Sequence, residues 1–211
     1  MNQKAMYAIS YGLFVVTARR GDFDNGCITN TVAQVTSAPN RISVAVNKTN
    51  YTCGMIMDSG VFTASVISEK AAFALFQRFG FQSGKDVWVD KFEAFGKVKR
   101  LGNGTLAVTE GTNAWITAKV EQAIDLGSHM LFIAEVTDMD VLSDAPSATY
   151  SYYQSHIKPK PELKPEKAGE TAEGKTIWRC TVCGYEYVGD ELPADFICPL
   201  CKHPASDFEK V

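Results

Sequence analysis

Four cysteines in the last 35 residues carry the clearest chemistry of the chain. They stand as Cys180-Thr181-Val182-Cys183 and Cys198-Pro199-Leu200-Cys201, two C-x-x-C pairs separated by 14 residues. Two such pairs set four sulfurs at the corners of a tetrahedron, which suits zinc or a single iron. Cys180, Cys183, Cys198 and Cys201 are therefore the candidate metal ligands. The spacing does not separate the two metals, because both accept four sulfurs in that geometry. Gly184 follows the first pair and can supply the positive φ of a turn that aims backbone N–H groups at the sulfurs. Trp178, Tyr185, Tyr187, Phe196 and Phe208 provide a miniature aromatic core. A segment this small needs a staple to fold, whichever metal it holds.

The rest of the chain must position or serve that centre. Its 211 residues allow one or two domains, and 45% hydrophobic with 21% charged residues describes a soluble globular protein. A net charge of −3 gives no electrostatic reason to expect nucleic acid. No apolar run approaches the ~18 residues of a membrane span. Ile9 to Val16 is apolar, but no small-residue cleavage site follows it, so no secretory signal is expected. Six cysteines, four of them in metal spacing, point to a reducing compartment, and the cytoplasm is the expected location.

From Tyr7 onward the sequence runs in β-like segments. Tyr11–Ala18 is a strand candidate closed by residues 21–26, with Asn25-Gly26 as the hairpin signal. Ile28–Thr36 reads as a second strand or extended loop, and Arg41–Val46 as a third strand. Thr49–Ser59 reads as a helix capped by Asn50 or Thr52 and ending near Gly60. Val61–Ile67 is another strand. Ala71–Phe79 is a short helix whose Phe73, Phe76 and Phe79 share helical spacing and belong to a core. Gly80–Asn103 is irregular. Thr105–Thr109, Ala114–Glu121 and His129–Val136 complete the strands, with a turn at residues 125–128. Many short strands, few helices and no βαβ rhythm predict a mainly β fold, a closed barrel rather than a dinucleotide-binding sheet. Tyr150, Tyr152 and Tyr153 close this domain.

Residues 158–173 then hold four lysines and four glutamates among repeated prolines, a composition with almost nothing to bury. Such a run favours an extended, semi-rigid tether. The expected organisation is a domain over 1–155, a linker over 156–174 and a metal module over 175–211. The large domain carries no G-x-G-x-x-G after a strand and no P-loop. No carboxylate pair or Ser-His-Asp array stands out by spacing. His129 is its only histidine, with structural hydrogen bonding as the ordinary role. Cys27 and Cys53 read as small buried residues rather than nucleophiles.

Two resemblances extend this reading. Trp178-x-Cys180-x-x-Cys183-Gly184-Tyr185-x-Tyr187, Cys198-Pro199-x-Cys201 and Asp207-Phe208 resemble the rubredoxin family in its short-loop form, as in the C-terminal module of rubrerythrins. That resemblance implies one iron. A zinc ribbon whose metal only holds the fold is the alternative. Residues from about 5 to 155 resemble the flavin reductase-like family, the FMN-binding split β-barrel. The matching run includes Thr29-Asn30-Thr31-Val32-x-Gln34-Val35-Thr36-Ser37-x-Pro39, Asn47-Lys48-x-Asn50-x-Thr52, Ser59-Gly60-x-Phe62 and Gly127-x-His129-x-Leu131-Phe132-Ile133. The family implies a homodimer with FMN near the subunit interface, and NAD(P)H oxidation. Thr29, Asn30, Thr31 and Gln34 suit the edge of an isoalloxazine. Thr36, Asn47, Lys48 and Thr52 suit a flavin phosphate. Strand threonines otherwise serve β-propensity, and a lysine after a strand is ordinarily solvated. His129 matches a family position near the flavin that helps seat the nicotinamide.

Together the halves resemble the high-molecular-weight rubredoxins. That resemblance implies an electron-transfer flavoenzyme in which NADH reduces FMN, and FMN passes electrons singly to the four-cysteine iron and on to a partner. The implied acceptor is a flavodiiron protein that reduces oxygen or nitric oxide, with a rubrerythrin as the second candidate. One rival reading is a flavin reductase that releases reduced flavin and carries structural zinc. The other is a non-catalytic flavin and iron carrier that never meets NADH.

Overall fold

The structure is a computed structural model that describes residues 1–82, 92, 97–159, 176–181, 183–199, 201 and 203–211. It divides into two compact units, Met1–Lys158 and Pro159–Val211. Most of the irregular stretch after Gly80, and most of the linker expected over 156–174, lie outside the described residues.

The first unit is built on strands β1 (Phe14–Arg20), β2 (Phe23–Thr29), β3 (Ala33–Ser37), β4 (Asn40–Asn47), β5 (Val61–Ile67), β6 (Val98–Arg100), β7 (Leu106–Val108), β8 (Thr112–Asp125) and β9 (His129–Val141). Seven of them form one antiparallel sheet in the order β2-β1-β5-β8-β9-β4-β3. The sheet rolls on itself. Cys27 of β2 and Ile42, Val44 and Val46 of β4, near opposite ends of that order, share one buried cluster with Val16, Phe62 and Phe132. Among the described residues β2 and β3 do not pair, so the expected closed barrel is split along one seam.

The run Leu13–Ala18, apolar but for Thr17, explains why the sheet is covered on both sides, since a nearly continuous run suits a strand buried on both faces. Val16 and Ala18 face the inner cluster, while Leu13 and Val15 join a second cluster on the other side. Helix α1 (Tyr51–Ser59) plugs the inner cluster with Cys53, Met55 and Ile56. Its limits follow local chemistry: Asn50 Oδ1 accepts the Thr52 N–H as N-cap, and Gly60 at φ 68° forms the C-cap. Helix α2 (Phe73–Gly80) seats Leu75, Phe76 and Phe79 in the outer cluster. There the Phe76 ring stacks on Tyr153 at 4.3 Å, just beyond the short helix α3 (Tyr150–Tyr152). The phenylalanines are core, as their spacing predicted.

One turn differs from expectation. Asn25-Gly26 lies inside β2, where Gly26 pairs with Thr17, and the hairpin turns at Gly21-Asp22 between Arg20 and Phe23. Gly26 is needed for space. A Cβ there would meet Phe79 at 3.2 Å and Thr17 at 3.3 Å.

The second unit contains β10 (Thr176–Cys180), β11 (Glu186–Gly189) and β12 (Phe208–Lys210), an antiparallel sheet in the order β11-β10-β12. A 3-10 turn, Ala205–Asp207, leads into β12. Among the described residues no helix is long and apolar enough to cross a membrane.

A four-cysteine centre and a polar corner beside the barrel seam

Cys180 closes β10, Cys183 lies in the turn that follows, and Cys198 and Cys201 lie on a second loop held by the Ile197–Pro204 bridge. All four are buried, and their sulfurs lie within 4.8 Å of one another. Cys180 and Cys201 are 3.5 Å apart at sulfur, as are Cys183 and Cys198. Metal–sulfur bonds of ~2.3 Å in a tetrahedron require sulfur separations of about 3.8 Å, so the four thiols fit one tetrahedral ion.

The two loops repeat one design. The Gly184 N–H donates to Cys180 O at 2.9 Å with Gly184 at φ 74°, closing the first turn as its glycine predicted. The Cys180 N–H donates to Tyr185 O, and the Cys198 N–H donates to His203 O, each at 2.8 Å. The N–H of Tyr185 then points at the Cys183 sulfur and that of His203 at the Cys201 sulfur. Such donors stabilise thiolate charge and tune a bound metal. Burial works the other way before a metal arrives, pushing the Cys183 thiol up to about 11 and raising that of Cys201 as well. Phe196 packs on Tyr187 at 4.9 Å and on Phe208 at 5.4 Å.

The flavin candidates of the first unit gather along β4. Strand β3 pairs with β4 only as far as Ala33 opposite Ser43. Beyond that point Thr31 takes over the free edge, its Oγ1 donating to Ala45 O at 2.7 Å and accepting the Ala45 N–H at 3.1 Å. The Thr29 hydroxyl lies 2.7 Å from that of Thr31. Together they stitch the connection between β2 and β3 onto β4, beside the seam. Asn30 sits between them, partly buried, with a side chain that makes no hydrogen bond among the described residues.

Two residues further along β4, Asn47 Oδ1 accepts both the N–H and the hydroxyl of Thr49 at 2.9 Å. Lys48 is held by the turn between β8 and β9: its N–H donates to Ser128 O at 3.0 Å and its Nζ to Asp125 Oδ2 at 2.7 Å. The hydrogen bond from Lys48, then that from the Gly127 N–H, holds the Asp125 carboxyl below its usual range. His129 opens β9 opposite Asn47, with Nδ1 2.8 Å from Ser128 Oγ. The fold thus brings Thr29, Asn30, Thr31, Asn47, Lys48 and His129 to one corner.

Three candidates stand elsewhere or face inward. Gln34 is exposed on β3 and donates to Asn40 Oδ1 at 2.9 Å, across the β3–β4 turn. Thr36, whose hydroxyl donates to Pro39 O, pairs with Arg41. Arg41 lies six residues along β4 from Asn47, roughly 20 Å at strand rise, so within one chain Thr36 does not share a phosphate with Lys48. Thr52 is fully buried and its hydroxyl accepts from Asn25 Nδ2 at 3.0 Å. It supports the first turn of α1 from beneath instead of offering its hydroxyl to a ligand.

Sequence reasoning missed Asp125 and Ser128 as members of the corner, because residues 125–128 read only as a turn. Cys27 and Cys53 are buried in the inner cluster, as expected. Burial raises the Cys53 thiol, against the opposing charge of Lys48, so it is neutral rather than nucleophilic.

The description "flavin reductase like domain" matches residues 6–161, and "rubrerythrin, rubredoxin-like domain" matches residues 178–209. The high molecular weight rubredoxin of Moorella thermoacetica is 34% identical, covering 100% of both chains. A ferric-chelate reductase (NAD(P)H) of Archaeoglobus fulgidus is 39% identical over 76% of this chain and 93% of its own. Among solved structures, an NADH:FAD oxidoreductase of Streptomyces globisporus superposes with TM-score 0.61 at 18% identity, over 70% of this chain and 85% of its own. The chain belongs to the flavin reductase-like family and shares with high-molecular-weight rubredoxins a C-terminal rubredoxin-like domain.

Proposed function

We propose that the protein is an NAD(P)H-dependent oxidoreductase that takes electrons from NADH onto FMN and passes them singly through a four-cysteine iron to a partner. The observation that carries this reading is the presence, on one chain, of a flavin reductase-like sheet and a buried four-thiol cluster of tetrahedral dimensions. Bound FMN would convert a two-electron donor into single electrons, and the iron would carry one at a time. Asn30, between the stitched hydroxyls of Thr29 and Thr31, offers its amide to the isoalloxazine edge. Lys48 and Asn47 offer a cation and an amide to the phosphate. His129, opposite Asn47, would seat the nicotinamide. The Tyr185 and His203 N–H groups support thiolate charge at the iron.

The domain limits 1–155, 156–174 and 175–211 belong to the same proposal, as does a homodimer. Every residue of β3 is exposed, on both faces of the strand, with Val35 at 46%. A strand exposed on both faces suits cover by a second subunit. The proposed acceptor is a flavodiiron protein, and the proposed location is the cytoplasm.

The test is an anaerobic NADH titration followed by visible absorption, with iron and zinc counted on the same sample. Flavin and ferric-thiolate bands that bleach together, at about one iron per chain, support the relay. Zinc in the site, or iron that stays oxidised while the flavin bleaches, overturns it in favour of a flavin reductase with a structural metal module. Flavin that NADH does not reduce leaves only an electron carrier.

A further inference from the structure

We propose that Asp125 determines how strongly the flavin site reads a phosphate, by holding Lys48 in a charge latch. The inference rests on the reading of Lys48 as the phosphate cation. The two carboxylate oxygens of Asp125 are separately engaged: Oδ1 accepts the Gly127 N–H at 2.8 Å and Oδ2 accepts Lys48 Nζ at 2.7 Å. The first bond anchors the carboxylate to its own turn, so it does not swing away when a ligand arrives. The second leaves Lys48 neutralised at its tip, while the Lys48 N–H is bound to Ser128 O of the same turn. Both ends of the lysine are therefore fixed by residues 125–128.

The side chains of Lys48 and Asp125 are 41% and 58% exposed, and an exposed pair of this kind is weak enough for a ligand to open. A phosphate that takes the ammonium must do so beside a fixed carboxylate of like charge. Cys53, a titratable group that also feels Lys48, is a buried neutral thiol and adds no charge. The corner thus offers a phosphate far less net attraction than a free lysine would. The flavin ring, held at Asn30 and the Thr29–Thr31 stitch, feels none of this. The latch acts on the phosphate alone.

The ratio of FMN to riboflavin affinity isolates the effect, because the ligands differ only by the phosphate. Dissociation constants for both are measured by flavin fluorescence on the full-length, flavin-stripped chain. Asp125→Asn keeps an acceptor for the Gly127 N–H and removes the charge. It tightens FMN about five-fold at low salt, as expected for removing one charge several ångströms from a phosphate in water, and leaves riboflavin unchanged. The gain fades near 1 M salt, where screening acts within about 3 Å. Asp125→Glu, which restores the charge, behaves like the parent. Lys48→Met abolishes the preference for FMN, and adding Asp125→Asn to it restores nothing. If Lys48→Met abolishes the preference but Asp125→Asn leaves the ratio unchanged or lowers it, the latch is wrong and the phosphate reading stands. If Lys48→Met leaves the ratio unchanged, the phosphate reading fails and the latch falls with it.

Discussion

The Thr31 hydroxyl does the work of a missing strand residue. It accepts from and donates to the two backbone groups of Ala45 that β3 does not reach. Thr31→Val keeps the shape and β-propensity but leaves the Ala45 N–H unpaired and its carbonyl with only the longer bond from the Thr29 hydroxyl at 3.3 Å. We expect a loss of about 1–3 kcal/mol in urea unfolding, and an unchanged midpoint would show that the stitch contributes nothing. At the metal centre, burial and thiolate charge oppose each other. The Cys183 thiol rises from 9.0 to about 11 through desolvation. A raised acid favours its neutral form in the folded state, so this stability is present below pH 9 and is lost as pH climbs toward 11. The Trp178 environment of the metal-stripped chain should therefore melt at falling temperature across that window. With metal bound the thiolates are already ligands, and the dependence should vanish. A stripped chain insensitive to alkaline pH would contradict this account.

The elements show why small residues stand where they do. Gly26 lets β2 approach both β1 and α2, with Thr17 and Phe79 closing on the space a side chain would need. Gly26→Ala should cost about 1–3 kcal/mol, since neighbours on both sides must yield. The same unfolding measurement checks it, and an effect near zero would mean that Phe79 moves freely. Asn25, beside it, holds Thr52 from beneath and so links β2 to the first turn of α1. The two residues are 27 apart in the chain.

At the scale of the whole molecule, the proposed relay makes transfer between its two redox centres depend on the tether proposed for residues 156–174. The effective concentration of one tethered group at another falls with about the −3/2 power of tether length, once the tether exceeds the span. Doubling the tether with repeats of its own Lys-Pro-Glu composition should slow iron reduction by NADH about three-fold. Flavin reduction should keep its rate. Stopped-flow absorption at the two chromophores separates the steps. Iron reduction independent of tether length would mean that electrons reach the iron between chains rather than within one.

The sequence by itself determined what is local. The C-x-x-C pairs named the four thiols that gather in one buried cluster, because a turn of four residues places two sulfurs together without help from the rest of the chain. Asn50 and Gly60 marked the limits of α1, and Val61–Ile67 is the strand its β-branched residues predicted, because caps and strand runs also act over a few residues. The polar corner proposed for the flavin was legible only in part. Thr29, Asn30, Thr31, Asn47, Lys48 and His129 converge because β4 pairs with β9 and runs on past the end of β3, a matter of register across many residues. The same register sends Thr36 to the far end of β4, and the packing of α1 against β2 buries Thr52. Asp125 reaches Lys48 across 77 residues. Asn25-Gly26 carried a strong local turn signal, yet packing space decided for the strand interior, and Gly21-Asp22 took the turn. Partners for hydroxyls, amides and charges are chosen by strand register and by burial, and only the tertiary structure decides those.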